Sequence, residues 1–299
     1  MNKLFLTLFL LTSFQAIAQF DYELFVSYTD KTTLQLNKQL TSETEFQQDK
    51  DLWVKTSFEQ FNLQGLPTAL VQYDQQGKEA QKKAFLYDSI GHISKIESYK
   101  QNKHDDSAEF TVNSLGQIIS YTDYVYSSYD GEKMFVWQTN LEYNSNGTLS
   151  KSIKLEGYKK DTSEINFYDT SGIKAKSLWH QGGLRTTKIE YNWNKDRTEM
   201  KEVHYENDST TYMTITHKYK DNREVEKLDP GTSPKPFYWK YDNEGRVIET
   251  NEQFFYVQYF KYNQDGYLES KIINVLFSDS DEKDLPKKIQ FKYEYQFRS

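Results

Sequence analysis

Five histidines, 44 acidic residues and no cysteine set the chemistry open to this chain of 299 residues. The histidines are His92, His104, His180, His204 and His217, and none stands at the His-Glu-x-x-His spacing that places two imidazoles around zinc. The lack of cysteine removes thiolate nucleophiles, thiolate metal sites and a disulfide framework together. No Gly-x-Ser-x-Gly elbow, phosphate loop or dinucleotide fingerprint occurs. His104 adjoins Asp105 and Asp106, but neighbours on one segment rarely converge, so the stretch reads as a solvated loop. Glycoside hydrolysis by two carboxylates stays open as an enzymatic alternative, because such acids come from distant strands and leave no local signature. Asp279, Asp281, Glu282 and Asp284 cluster near the C-terminus without the glycine and final glutamate of a calcium loop, which favours a charged turn. Trp179, His180 and Arg185 flank Gly182-Gly183, where a hairpin turn fits. An exposed indole beside polar groups can stack on a sugar or peptide, so these three are the candidate ligand contacts. The competing reading is an ordinary hairpin with a core tryptophan. No residue is assigned to catalysis, to a cofactor or to a metal, and no cofactor is expected.

The elements that must position any such site are announced by a recurring motif, aromatic-Asp/Asn-x-x-Gly. It occurs at Phe61-Asn62 with Gly65, Tyr73-Asp74 with Gly77, and Tyr87-Asp88 with Gly91. It returns at Tyr143-Asn144 with Gly147, Tyr168-Asp169 with Gly172, Tyr241-Asp242 with Gly245, and Tyr262-Asn263 with Gly266. Asn113 with Gly116 keeps the turn and loses the aromatic. Around Tyr191 and Tyr219 the pattern decays, with Lys195 and Arg223 where glycine is expected. An Asp or Asn at the head of a type I turn accepts the backbone N–H two residues on, and glycine supplies the left-handed residue that rejoins the strands. A calcium loop would need a denser set of oxygens. These Asp, Asn and Gly residues are therefore expected to be turn residues, each unit being a strand, a tight turn and a strand. The glycines fall unevenly along the chain, which argues against a strict solenoid and for a meander with variable strand lengths.

Strand periodicity supports this. In Lys287–Phe297 the residues Ile289, Phe291, Tyr293, Tyr295 and Phe297 alternate with Lys288, Gln290, Lys292, Glu294 and Gln296. With 24 tyrosines, 19 phenylalanines and 5 tryptophans on a polar background, the composition points to strands with one wet face. Only Leu34–Phe46 carries a weak helical pattern. A lone hairpin would not fold, whereas neighbouring hairpins can bury one another's aromatic faces. The expected fold is all-β, an antiparallel meander of repeated β-hairpins forming a twisted or rolled sheet.

The segments Tyr241–Glu249 ("YDNEGRVIE") and Phe260–Ser270 ("FKYNQDGYLES") resemble the unit of the YD-repeat, or Rhs-type, proteins, and weaker copies cover roughly residues 57 to 270. The resemblance implies a secreted or surface-located chain of β-hairpins, often part of a larger protein whose shell of repeats encloses a toxin or contacts a neighbouring cell. The present chain is too short for a large shell, and nothing after the repeats looks like a toxin domain.

The N-terminus reads as a secretory signal peptide over residues 1–18: Lys3, an apolar run from Leu4 to Leu11, and Ala16-Ile17-Ala18 at the cleavage point. The rest divides into an N-terminal segment, 19–56, and a repeat domain, 57–299, with a possible seam at 229–236, which holds three of the five prolines. The net charge is −7, and removal of Lys3 with the signal leaves the mature chain one unit more negative. An acidic chain without a basic stripe suits neither nucleic acid nor an anionic membrane. No segment after the signal is apolar enough for a transmembrane helix. The expected protein is an exported, non-enzymatic binding or structural module, periplasmic, cell-surface or secreted, whose partner is an envelope or extracellular glycan or protein. The alternative is an outer-membrane β-barrel, which a mean hydropathy of −0.86 and charges along many strands disfavour.

Overall fold

The computed structural model describes residues 38–49, 52–157, 159–181, 184–206, 210–233, 235–253, 256–275 and 288–298. The signal segment, the acidic stretch around Asp279, and Gly182-Gly183 lie outside these residues. Twenty strands follow one another: β1 (Leu40–Asp49), β2 (Leu52–Phe61), β3 (Pro67–Tyr73), β4 (Glu79–Tyr87), β5 (Ile93–Lys100), β6 (Lys103–Val112) and β7 (Ile118–Tyr126). Next come β8 (Lys133–Tyr143), β9 (Leu149–Glu156), β10 (Asp161–Tyr168), β11 (Lys174–Gln181), β12 (Leu184–Trp193), β13 (Glu199–Glu206) and β14 (Thr210–Lys220). The series ends with β15 (Arg223–Leu228), β16 (Phe237–Tyr241), β17 (Val247–Gln253), β18 (Tyr256–Tyr262), β19 (Leu268–Val275) and β20 (Lys288–Phe297).

The protein is all-β, and its strands form an antiparallel meander in which each pairs with the next. The hydrogen-bonding order closes on itself, because β1 pairs with both β2 and β20. The weak helical pattern over Leu34–Phe46 is overridden from Leu40 onward: strands paired on both sides offer the backbone of β1 ladder bonds, which local propensity cannot match. The sheet thus begins inside the segment that the sequence places before the repeats.

Two compact units emerge. The first holds residues up to Thr44, Lys55–Gln138 and Glu294–Ser299; the second holds Glu45–Val54 and Thr139–Tyr293. Asp229–Pro236 lies within the second, where the Asp229 carbonyl accepts the N–H of Ser233 at 2.8 Å. In the first unit Arg298 ties the last strand to the first: its side chain donates to the carbonyls of Lys38, Phe61 and Asn62.

Strands such as β4, β7, β8 and β14 bury alternate residues, but the buried face is not uniformly apolar. Phe85, Ile96, Ala108 and Tyr121 share it in the first unit with Lys83, Ser98 and Asp123. Ile189, Met200 and Ile215 share it in the second with Ser177, His204 and His217. Some of the polar groups on this face satisfy one another: Asn166 donates to Ser152 at 3.1 Å and accepts from Ser177 at 2.6 Å.

The turns sort by end. In the first unit the Asn62, Asp88 and Asn113 turns join even strands to odd ones and lie at one end of the sheet. In the second, those at Asn144, Asp169, Asn194, Asp221, Asp242 and Asn263 do the same. The motif therefore recurs once per strand pair, at intervals of 21 to 31 residues between its Asp or Asn positions, a narrower spread than the glycines alone give. Gly77 belongs to the opposite end, and two repeats lack glycine. Arg197 takes its place after Trp193-Asn194 with φ 54°, and Asp221-Asn222 form a two-residue turn with φ 52° and 60°. At the opposite end of each unit the connections differ in length and composition.

Candidate functional site

The repeated turns are built the same way throughout. In Asn62, Asp74, Asp88, Asn113, Asp169, Asp242 and Asn263 one side-chain oxygen accepts the N–H groups two and four residues on, at 2.8–3.0 Å. Asn144 instead donates to the Thr148 hydroxyl, and Asn146 accepts the Thr148 N–H. Gly65, Gly77, Gly91, Gly116, Gly147, Gly172, Gly245 and Gly266 close the turns with φ between 74° and 91°. The His92 N–H leads the contacts that hold the Asp88 carboxyl below its ordinary range, and the Ser171 hydroxyl does so at Asp169. In each of these turns one side-chain oxygen is thus spent on two backbone N–H groups of the turn itself.

The motif's aromatic residue works across repeats. Tyr87 donates to the Pro67 carbonyl at 2.7 Å, Tyr241 to Glu224 at 2.7 Å and Tyr262 to Val247 at 3.0 Å, each reaching the strand that follows the preceding turn. Arg246, next after Gly245, pairs with Asp242 at 2.7 Å and lies 4.6 Å from the centre of the Tyr262 ring. Asp/Asn, glycine and tyrosine are accounted for by this stitching, so chemistry must be sought elsewhere.

The opposite, variable ends carry exposed aromatic residues. In the first unit Tyr129 is 97% exposed on the β7–β8 connection. In the second, Trp179 and Tyr212 are 47% and 56% exposed beside the β11–β12 and β13–β14 connections. Trp179 pairs in register with Glu164 and Thr187, while His180 pairs with Arg185 after a register shift. The shift and the alternation of a strand set Trp179 and His180 on different faces. The Trp179 carbonyl accepts the Thr186 hydroxyl at 3.3 Å.

A cleft of about 380 Å³ opens at the variable end of the first unit, lined by Glu79, Lys82, Ala84, Tyr99 and Asn102. Lys82 and Tyr99 are register partners on β4 and β5, and Asn102 belongs to the two-residue turn Gln101-Asn102, whose φ values are 50° and 63°. The Tyr99 hydroxyl donates to Glu97 at 2.7 Å, and His104 packs edge-on against the ring at 4.4 Å and 76°. Tyr126 backs His104 in turn at 5.0 Å. The bond to Glu97, followed by burial, pushes the Tyr99 phenol up to about 12. The stretch around His104, expected as a solvated loop, is strand β6, and a register shift beside Tyr99 puts His104 and Asp106 on opposite faces. Asp106 lies on the other side with Lys83 and Ser98; burial raises its carboxyl, and those two groups oppose the rise. Sequence reasoning missed this cleft because its residues come from two strands and a turn with no shared motif.

In the second unit a chain of ionisable groups crosses β13 to β15. The Tyr212 hydroxyl lies 3.4 Å from His204 Nδ1, and His204 Nε2 is 2.7 Å from Glu202. His217 Nε2 stands 3.4 Å from Glu202 and its Nδ1 is 2.6 Å from Glu224. The Glu202 contact is an ion pair whose angle leaves Nε2 without an aligned hydrogen bond. Burial pulls the His217 imidazole down, but the two carboxylates outweigh it and raise it to about 9. Glu202 is lowered, first by His217, against the effect of burial. The five groups run in a line and do not converge; among the described residues no three His, Asp or Glu are arranged to hold a metal ion.

No protein-family model matches the chain, and no curated protein matches it. Among solved structures it is similar to a Photorhabdus luminescens Tc holotoxin pore, at 11% identity and TM-score 0.35, over 78% of this chain and 13% of that one. A porin-like protein from Bacteroides uniformis is matched at 8% identity and TM-score 0.36, over 86% of this chain and 98% of that one. A DUF3836 family protein from Bacteroides vulgatus is matched at 13% identity and TM-score 0.19, over 38% and 97%. The chain spans about an eighth of the Tc structure's length. TM-scores at this level carry no argument.

Proposed function

We propose that the chain is an exported, non-enzymatic β-repeat module of the YD type that binds a glycan or protein of the cell envelope or the cell exterior. The observation that supports this reading is the contrast between the ends of each unit. One end repeats, with a few variants, an Asp/Asn turn whose side-chain oxygen is spent on its own backbone. The other varies from hairpin to hairpin and holds the exposed rings of Tyr129, Trp179 and Tyr212 together with the Tyr99 cleft. Variation on a constant frame is how scaffolds present binding groups, and exposed Tyr and Trp offer large contact area with a polar tip.

The test compares two triple variants of the mature chain for retention on isolated envelopes. Tyr129→Ser with Trp179→Ser and Tyr212→Ser alters the variable ends. Leu63→Ser with Ile90→Ser and Leu115→Ser alters three exposed turn tips at the constant end of the first unit. Loss of retention only in the first variant is the expected result; loss only in the second overturns the reading. Incubation of the wild type with envelope polysaccharide is expected to release no new reducing ends, and release that survives purification would make the chain an enzyme.

A further inference from the structure

We propose that the cleft beside the Gln101-Asn102 turn binds a neutral saccharide, with Tyr99 as its stacking platform. This rests on the binding role proposed above and narrows its ligand. At about 380 Å³ the cleft falls in the range of small-ligand sites and admits no folded partner. A sugar ring presents an apolar C–H face and a rim of hydroxyls that both donate and accept. The cleft answers both.

Tyr99 supplies the flat face, and its ring is held before any ligand arrives. Glu97 fixes the hydroxyl, His104 packs at 76° to the ring, and Tyr126 stands behind His104. Such a ring loses little freedom on stacking. Around it stand a donor in Lys82, an acceptor in Glu79, and an amide in Asn102 that does both. One positive and one negative group leave no net charge to favour a phosphate or sulfate. Ala84, in register with Glu97 on β5, has the smallest side chain of the five lining residues and leaves the cleft its depth.

The experiment is a printed array of neutral, phosphorylated and sulfated oligosaccharides probed with the mature chain, with hits quantified by calorimetry. Tyr99→Ala removes the platform, Tyr99→Phe keeps the ring, and Ala84→Leu fills the cleft while the Tyr99 side chain itself is retained. Each variant is first shown to melt as a folded protein. Binding of a neutral saccharide is expected to weaken more than tenfold in Tyr99→Ala and in Ala84→Leu and less than threefold in Tyr99→Phe. If Tyr99→Ala does not fold, Ala84→Leu decides alone. Equal affinity in wild type and Ala84→Leu overturns the proposal, as does binding confined to the anionic probes or to none. Should saccharides fail while wild-type chain is still retained on envelopes, this inference falls and the wider binding role stands. Failure of both assays removes both.

Discussion

Gly245 meets two demands at once. Its φ of 83° lies in the left-handed region, and a Cβ there would come within 1.9 Å of the Arg223 guanidinium. The guanidinium is the far end of a flexible chain and can move, so the backbone strain is the larger and unavoidable cost, about 1–2 kcal/mol for a residue with a Cβ and more for a β-branched one. Gly245→Val is therefore expected to lower stability by more than about 1 kcal/mol in thermal or urea melts. At Gly77 φ is 74° and nothing stands within 4 Å, so substitution there isolates the strain. His217 gives a second residue-scale prediction. Its pKa is raised from 6.5 to about 9 in the folded chain, so its contribution is complete below about pH 6.5 and is lost as pH rises through 9. Glu202 is lowered, so its share is present above its ordinary value and lost as pH falls. Urea midpoints measured from pH 5 to 10 are expected to fall on the alkaline side, and His217→Gln should flatten that arm. An unchanged alkaline slope would show that the Glu202–His217–Glu224 contacts do not form. The Gly245 turn was legible in the sequence, but the histidine–glutamate chain was not: His204 and His217 lie on different strands, and only strand register brings them to one carboxylate.

At the scale of elements, the sequence announced strands and turns through period-two alternation and Asp/Asn-x-x-Gly, because both are local consequences of backbone geometry. It misled on spacing. Gly77 lies at the other end of its unit, and two true repeats hide behind Arg197 and Asn222, so intervals counted between glycines mixed two series. The Trp193-Asn194 turn shows how a repeat survives without glycine: Asn194 accepts the N–H groups of Thr198 and Glu199, and this geometry holds Arg197 at φ 54°. Restoring the motif with Arg197→Gly should remove the left-handed strain and raise stability by about 0.5–1 kcal/mol, Gly's extra unfolded-state entropy offsetting part of the gain. The 3.8 Å ion pair of Arg197 with Asp169 joins two well-exposed side chains and is worth little against this. A melting temperature that falls would mean that Arg197 contributes through its side chain after all.

Across the described residues the feature that bears on location is charge on both faces of the strands. Lys82 and Lys83, Lys201 and Glu202, and His217 and Lys218 are sequence neighbours within strands, so each pair sends ionisable groups to opposite sides. The more exposed side also carries strand-to-strand pairs such as Lys218 with Glu226, Lys240 with Glu249 and Lys261 with Glu269, at 2.6 to 2.8 Å. A lipid-facing wall cannot hold these cheaply, since one Lys or Arg at the bilayer midplane costs roughly 2–4 kcal/mol even on a stable barrel. The sequence already disfavoured the barrel alternative through its hydropathy and the charges along its strands; strand register adds the face on which each lysine stands. The mature chain is expected to leave membranes in an alkaline carbonate wash and to enter the aqueous phase on detergent partition. Retention in the pellet after the wash, with the protein still folded on return to neutral pH, would mean that one face meets lipid and that its lysines find partners there.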